Sequence, residues 1–179
     1  MLEQSGKLRV RAHQARRENR PNDARQDLIE AVALCRQEGK GIDLARALAD
    51  LGQMERDLHC NAAPKNYEEA VAIYRAAGDV LDWAHTVRHV GDILSNMGRK
   101  ELAGPCFRTA LGLYRGDART APLDLANTLR GYALPTDDNG ESVRAKPLWQ
   151  EARDLYAAVG ADEGVKESSH RLPLWSINE

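Results

Sequence analysis

A seven-residue motif occurs four times in this chain, and its spacing constrains the fold more than any other feature. Glu30-Ala31-Val32-Ala33-Leu34-Cys35-Arg36 returns as Glu69-Ala70-Val71-Ala72-Ile73-Tyr74-Arg75 and as Thr109-Ala110-Leu111-Gly112-Leu113-Tyr114-Arg115. A looser copy is Glu151-Ala152-Arg153-Asp154-Leu155-Tyr156-Ala157, and successive copies start 39, 40 and 42 residues apart. A second pattern lies between them: Leu44-Ala45 precedes Leu51-Gly52, Trp83-Ala84 precedes Val90-Gly91, and Leu125-Ala126 precedes Tyr132-Ala133. Each step is seven residues, two helical turns, so both members face one way. A recurrence of this length signals stacked units.

Each unit reads as two helices. From Leu81 to Met97 the small and apolar residues Trp83, Ala84, Val87, Val90, Gly91 and Leu94 follow three- and four-residue steps. Gly98 then marks a turn, and Leu102, Cys106, Phe107, Ala110 and Leu113 form the buried stripe expected of the next helix. Further breaks are expected at Gly39, Gly78, Asn139-Gly140 and Gly160. Asp43, Asp79 or Asp82, Asp124 and Asp162 stand near the helix starts, where a carboxylate can satisfy free N–H groups. Composition agrees. Ala and Leu supply 47 residues against 14 for Val and Ile, and a single Phe is present, which excludes an all-β fold. A glycine inside a helix costs about 1 kcal/mol against alanine, so Gly52 and Gly91 need a packing reason. Close crossing supplies one, with Gly91 facing Ala103 and Ala110, and Ala133 facing Ala145 and Ala152.

These residues resemble the tetratricopeptide repeat (TPR) family. Val87, Val90, Gly91, Leu94, Gly98, Ala103, Phe107 and Ala110 match the family's signature of large and small residues. So do Leu129, Tyr132, Ala133, Gly140, Ala145, Trp149 and Ala152, and, in the unit before, Leu48, Leu51, Gly52, Tyr67 and Ala70. The first unit matches through Leu8, Ala12, Ala24, Leu28 and Ala31. A period near 40 resembles the long-linker variety of kinesin light chains and some bacterial peptide-sensing regulators. HEAT and armadillo arrays have similar periods but lack the Gly/Ala crossing set. The resemblance implies an all-α, right-handed α-α superhelix, a single array over 1–179. Its units would cover about 5–38, 42–77, 81–116 and 122–158, followed by a capping helix at 161–172 and an apolar tail at 172–179. Pro135 is expected to end its helix by Leu134, and Pro105 and Pro147 to delay the starts of theirs.

In the family the first helix of each pair lines a concave, peptide-holding face. Here that face would carry Arg9, His13, Arg16, Arg46, Gln53, Arg56, His85, Arg88, His89, Asp92, Asn127 and Arg130. Six arginines against one aspartate imply an acidic or carboxylate-bearing peptide, because guanidinium groups bind carboxylates bidentately. A solvated face with its own carboxylate partners is the competing reading. His85, His89 and Asp92 share one helical face, yet one helix supplies only three ligands, so no metal is expected. No cofactor is expected either: GxSxG, GxGxxG and GxxxxGK[ST] are absent, which argues against an enzyme.

A net charge of −2 gives no reason to expect nucleic acid as a partner. No apolar run is long enough to span a membrane, Met1–Asn19 is too charged for a secretion signal, and three unpaired-looking cysteines suit a cytoplasmic protein. Leu172, Leu174, Trp175 and Ile177 either fold back on the last pair or join a second copy as a homodimer. The functional expectation is a non-catalytic scaffold. The alternatives are a structural assembly module and the ligand-sensing module of a regulator.

Overall fold

Short left-handed breaks cut the chain into helices at nearly even intervals. Gly39, Gly98, Gly140 and Gly160 all take positive φ, between 66° and 76°. At each, the following N–H turns back to a carbonyl in the last helical turn: Lys40 to Cys35, Arg99 to Leu94, Glu141 to Thr136, Ala161 to Tyr156. Asn19 and His59 perform the same function without being glycine, both at φ 56°, which is why no glycine announces those two turns.

The computed structural model describes residues 3–60 and 63–172. Over these residues it shows α1 (Gln4–Arg17), α2 (Pro21–Gln37), α3 (Gly41–Asp57), α4 (Ala63–Ala77), α5 (Val80–Asn96), α6 (Lys100–Gly116), α7 (Pro122–Asp138), α8 (Ser142–Ala158) and α9 (Asp162–Arg171). They form two compact units, Met1–Asp79 and Val80–Glu179. In the first, α1–α4 pack in sequence and α1 also touches α3; in the second, α5–α9 pack in sequence and α5 also touches α7.

The motif alanines are the tightest points. Ala31, Ala70, Ala110 and Ala152 are fully buried, as are Ala45, Ala84 and Ala126. Ala84 meets Ala110 and Tyr114, and Ala126 meets Ala152 and Tyr156. The helical glycines do something else. A β-carbon at Gly52 would stand 3.0 Å from the Tyr67 ring, and one at Gly91 would stand 3.0 Å from the Phe107 ring. The nearest neighbour of Gly91 is therefore an aromatic ring, which the alanine spacing does not indicate. Gly131 of α7 also lies against Phe107, where a β-carbon would lie 2.8 Å from the ring. Phe107 is thus approached by glycines of both α5 and α7. Ala133 takes the Gly91 position in the next hairpin, against Ala145 and Trp149; Ala152, expected beside it, belongs to the Ala126 crossing.

The prolines depart from expectation. α7 continues through Pro135 to Asp138, and α6 and α8 start before Pro105 and Pro147. A helical proline forfeits one bond to the carbonyl four residues back. For Pro105 and Pro147 that carbonyl belongs to Glu101 and Val143, both exposed, so water can serve it. Past Pro135, the Thr136 hydroxyl donates to Tyr132 O at 2.7 Å and Asn139 N–H donates to Pro135 O at 3.2 Å, which secure the last turn. Leu102 is exposed, not buried, and Leu113 and Cys106 are only half-buried. Asp43, Asp82, Asp124 and Asp162 lie inside first turns and make no cap bond at α3, α7 or α9. There they favour the positive helix end.

One buried ion pair ties three helices of the first unit. Glu55 of α3 is 2% exposed. It accepts from Arg25 Nη2 of α2 at 2.9 Å and from Asn66 Nδ2 of α4 at 2.7 Å. At the other end of the chain, Leu172 packs on Ala133, Ala145 and Trp149. Gly164 lets α9 lie against the Tyr156 ring, where a β-carbon would come within 2.5 Å. Leu174, Trp175 and Ile177 lie outside the described residues.

Candidate functional site

The first helices of neighbouring hairpins lie side by side, α1 with α3 and α5 with α7, which gives each unit its own polar face. In the first unit that face is a ladder of ion pairs. Arg9 donates to Asp50 at 2.7 Å, and His13 lies 3.4 Å from the same carboxylate. One and two turns on, Arg16 pairs with Asp57, Gln53 donates to Asp57 at 2.8 Å, and Arg56 stands 3.6 Å from it. Arg46 stands 3.6 Å from Asp43. Burial pushes the Asp50 carboxyl up, but His13 and Arg9 outweigh it and hold its pKa below the usual value.

The second face is denser. Arg88, 12% exposed, donates to Asp92 Oδ2 at 3.1 Å and contacts His89 Nε2 at 3.1 Å. His89 Nε2 also lies 3.1 Å from His85 Nε2, and its Nδ1 lies 3.4 Å from Asp92. Since a guanidinium only donates, His89 Nε2 must accept from it, which places the imidazole proton on Nδ1 toward Asp92. On α7, Asn127 Oδ1 accepts from the Tyr156 hydroxyl at 2.8 Å. Arg130 donates through Nε and Nη2 to both oxygens of Glu167 of α9, at 2.6 and 2.9 Å.

The structure thus supplies carboxylates that the count of six arginines to one aspartate omitted: Asp50, Asp57, Asp43 and Glu167. A signal for two of them was present. Arg9 to Asp50 and Arg16 to Asp57 both span 41 residues, close to the repeat period. Glu167 sits on α9, outside the repeated motif. Among the described residues, no group of three or more His, Cys, Asp or Glu could hold a metal ion. No helix there is long and apolar enough to cross a membrane.

Burial, with Arg88 and His85 adding to it, pushes the His89 pKa down to about 4 from an ordinary 6.5, although Asp92 pulls the other way. Above pH 6.5 the folded and unfolded chains both hold it neutral. As pH falls toward 4 the unfolded chain takes a proton that the folded chain refuses. Stability is expected to fall by about 3 kcal/mol across that window. Thermal melts at several pH values check this, and His89→Gln should flatten the slope. Asp27 and Asp50 titrate below their ordinary 3.8 and so leave the window to the histidines; His85, also pushed down by burial, adds to the slope that His89→Gln leaves.

This architecture is found in solved structures. The chain is similar to BtubC (BKLC) from P. vanneervenii, with a TM-score of 0.80 and 18% identity over 87% of this chain. It spans 64% of the length of that protein. It is also similar to a Podosopora anserina putative kinesin light chain with nearly identical TPR-like repeats, at a TM-score of 0.73 and 13% identity, covering 97% of this chain and 96% of that one. No family model matches the sequence, and no curated protein matches it. The fold is all-α and TPR-like, built from helical hairpins.

Proposed function

We propose that this chain is a non-catalytic protein-interaction scaffold whose first-helix faces bind an acidic or carboxylate-bearing peptide segment. The observation that carries the reading is the state of the arginines. Each guanidinium has five N–H donors, and a carboxylate engages at most two. Arg9 commits Nε to Asp50, and Arg130 commits Nε and Nη2 to Glu167. The internal carboxylates hold the side chains in place and leave donors for an incoming carboxylate, which lowers the ordering cost of binding. On the first unit His13, Gln53 and Arg56 would border such a segment; on the second, Asn127 would border one and His85, Arg88, His89 and Asp92 would form its floor. A reducing, cytoplasmic setting is part of the reading, and Cys35, Cys60 and Cys106 are all free thiols.

The test is a titration of acidic and neutral peptides of equal length at two salt concentrations. The acidic peptide should bind more tightly and lose affinity with salt, because exposed charge pairs are screened. Arg130→Ala should weaken it roughly tenfold, the worth of one charge-assisted hydrogen bond. Equal affinities for both peptides in both salts would remove the charge-based reading.

A further inference from the structure

On the second unit, a cleft of about 170 Å³ opens between the first turns of α6 and α8 and the last turns of α7. Lys100, Arg108 and Arg144 line it together with Tyr132. Two of these cations have carboxylates at hand: Lys100 lies 3.8 Å from Asp138, and Arg144 pairs with Glu141. Arg108 differs. It donates to the neutral Tyr132 hydroxyl at 3.1 Å and has no carboxylate partner among the described residues. Face arginines such as Arg9, Arg16, Arg88 and Arg130 all have one.

Arg108 is itself exposed, and Tyr132 orients it. Tyr132 stacks on Phe107 with ring centres 6.0 Å apart, which fixes the hydroxyl that Arg108 meets. Gly104 forms part of the wall. A β-carbon there would stand 3.4 Å from Arg108 Nη1 and 3.8 Å from the Tyr132 ring, in ordinary contact with both, so an alanine would fit and occupy space beside them. The cleft also lies at the starts of α6 and α8, neither of which has a side-chain cap. Helix starts carry partial positive charge and unpaired N–H groups.

We propose that this cleft binds an oxyanion of phosphate size, as the free ion or as a phosphate monoester. Arg108 keeps four of its five donors for such a group, and Lys100 and the two helix starts add positive potential. Glu101 and Glu141 in the wall limit the net charge, which suits one oxyanion and disfavours an extended polyanion. The site is independent of the first-helix faces.

The experiment titrates inorganic phosphate and O-phosphoserine into the full chain at constant ionic strength and follows backbone amide shifts. Saturable shifts confined to residues 100–108 and 132–144 are expected. Arg108→Gln should weaken binding roughly tenfold, by loss of a charge-assisted contact. Gly104→Ala should weaken it as well while favouring the helix, which separates a narrowed cleft from a misfolded one. Arg153→Gln, at an exposed arginine paired with Asp154, should bind as the parent does. Tighter phosphate points to the free ion, and tighter O-phosphoserine to an ester; either supports the site. Shifts that do not saturate, or that are unchanged in Arg108→Gln, would overturn it.

Discussion

Phe107→Ala is expected to destabilise the second unit by about 4–5 kcal/mol, the upper end for a lost buried ring. The spread among such substitutions reflects how well neighbours can collapse into the hole. Here they have little to move. The ring is fully buried, and Gly91 of α5 and Gly131 of α7, which lie close against it, have no side chains to bring forward. The partner substitution should then change sign. In the parent, Gly131→Ala places a methyl 2.8 Å from the ring and 3.1 Å from Asp92 Oδ1. Overpacking of that kind costs about 1–3 kcal/mol. In the Phe107→Ala background the clash with the ring is gone, the contact with Asp92 Oδ1 remains, and alanine adds about 1 kcal/mol of helix propensity. Urea unfolding of the four proteins measures the coupling. Additive effects would show that ring and glycine do not share one space.

Arg25→Met is expected to cost about 3–5 kcal/mol, because it strands the buried Glu55 carboxylate with the Asn66 amide as its remaining partner. The reverse change should be milder. The Arg25 side chain is 38% exposed against 3% for Glu55, so after Glu55→Met its guanidinium can turn to water. That loss should be about 1–2 kcal/mol, the worth of one hydrogen bond to a charged group. The double variant Arg25→Met/Glu55→Met should return to within about 1 kcal/mol of the parent, since replacing a whole buried pair with apolar groups is often neutral. Chemical denaturation of all four chains checks this. A double variant as unstable as Arg25→Met would mean that the pair stabilises beyond its own desolvation.

Both sites show where reading the chain as a string stops. Glu55 looks like one more charge on a helix, and Arg25 and Asn66 lie 30 and 11 residues away on other helices. Gly91 invites a packing explanation, and its nearest neighbour is the Phe107 ring, which alanine spacing does not indicate. Alanine spacing pointed to Ala110, but Ala110 is spent on Ala84. Gly131, outside the repeated motif, gave no signal at all. On the polar faces, helical spacing gathered the arginines and histidines of each first helix. It could not gather Asp50 or Asp57 opposite Arg9 and Arg16, because those pairs form between helices.

Sequence alone determined the all-α hairpins and the turns that a glycine marks, because periodicity and turn residues act within a few residues of one another. It also determined that alanine marks the crossings, since a repeated small residue at a repeated position has one steric meaning. Tertiary structure decided which ring fills each glycine gap, how far helices run past their prolines, and whether a charge is paired. Those outcomes depend on distances between helices and on which carbonyls water can reach. Such quantities exist only once the hairpins have packed.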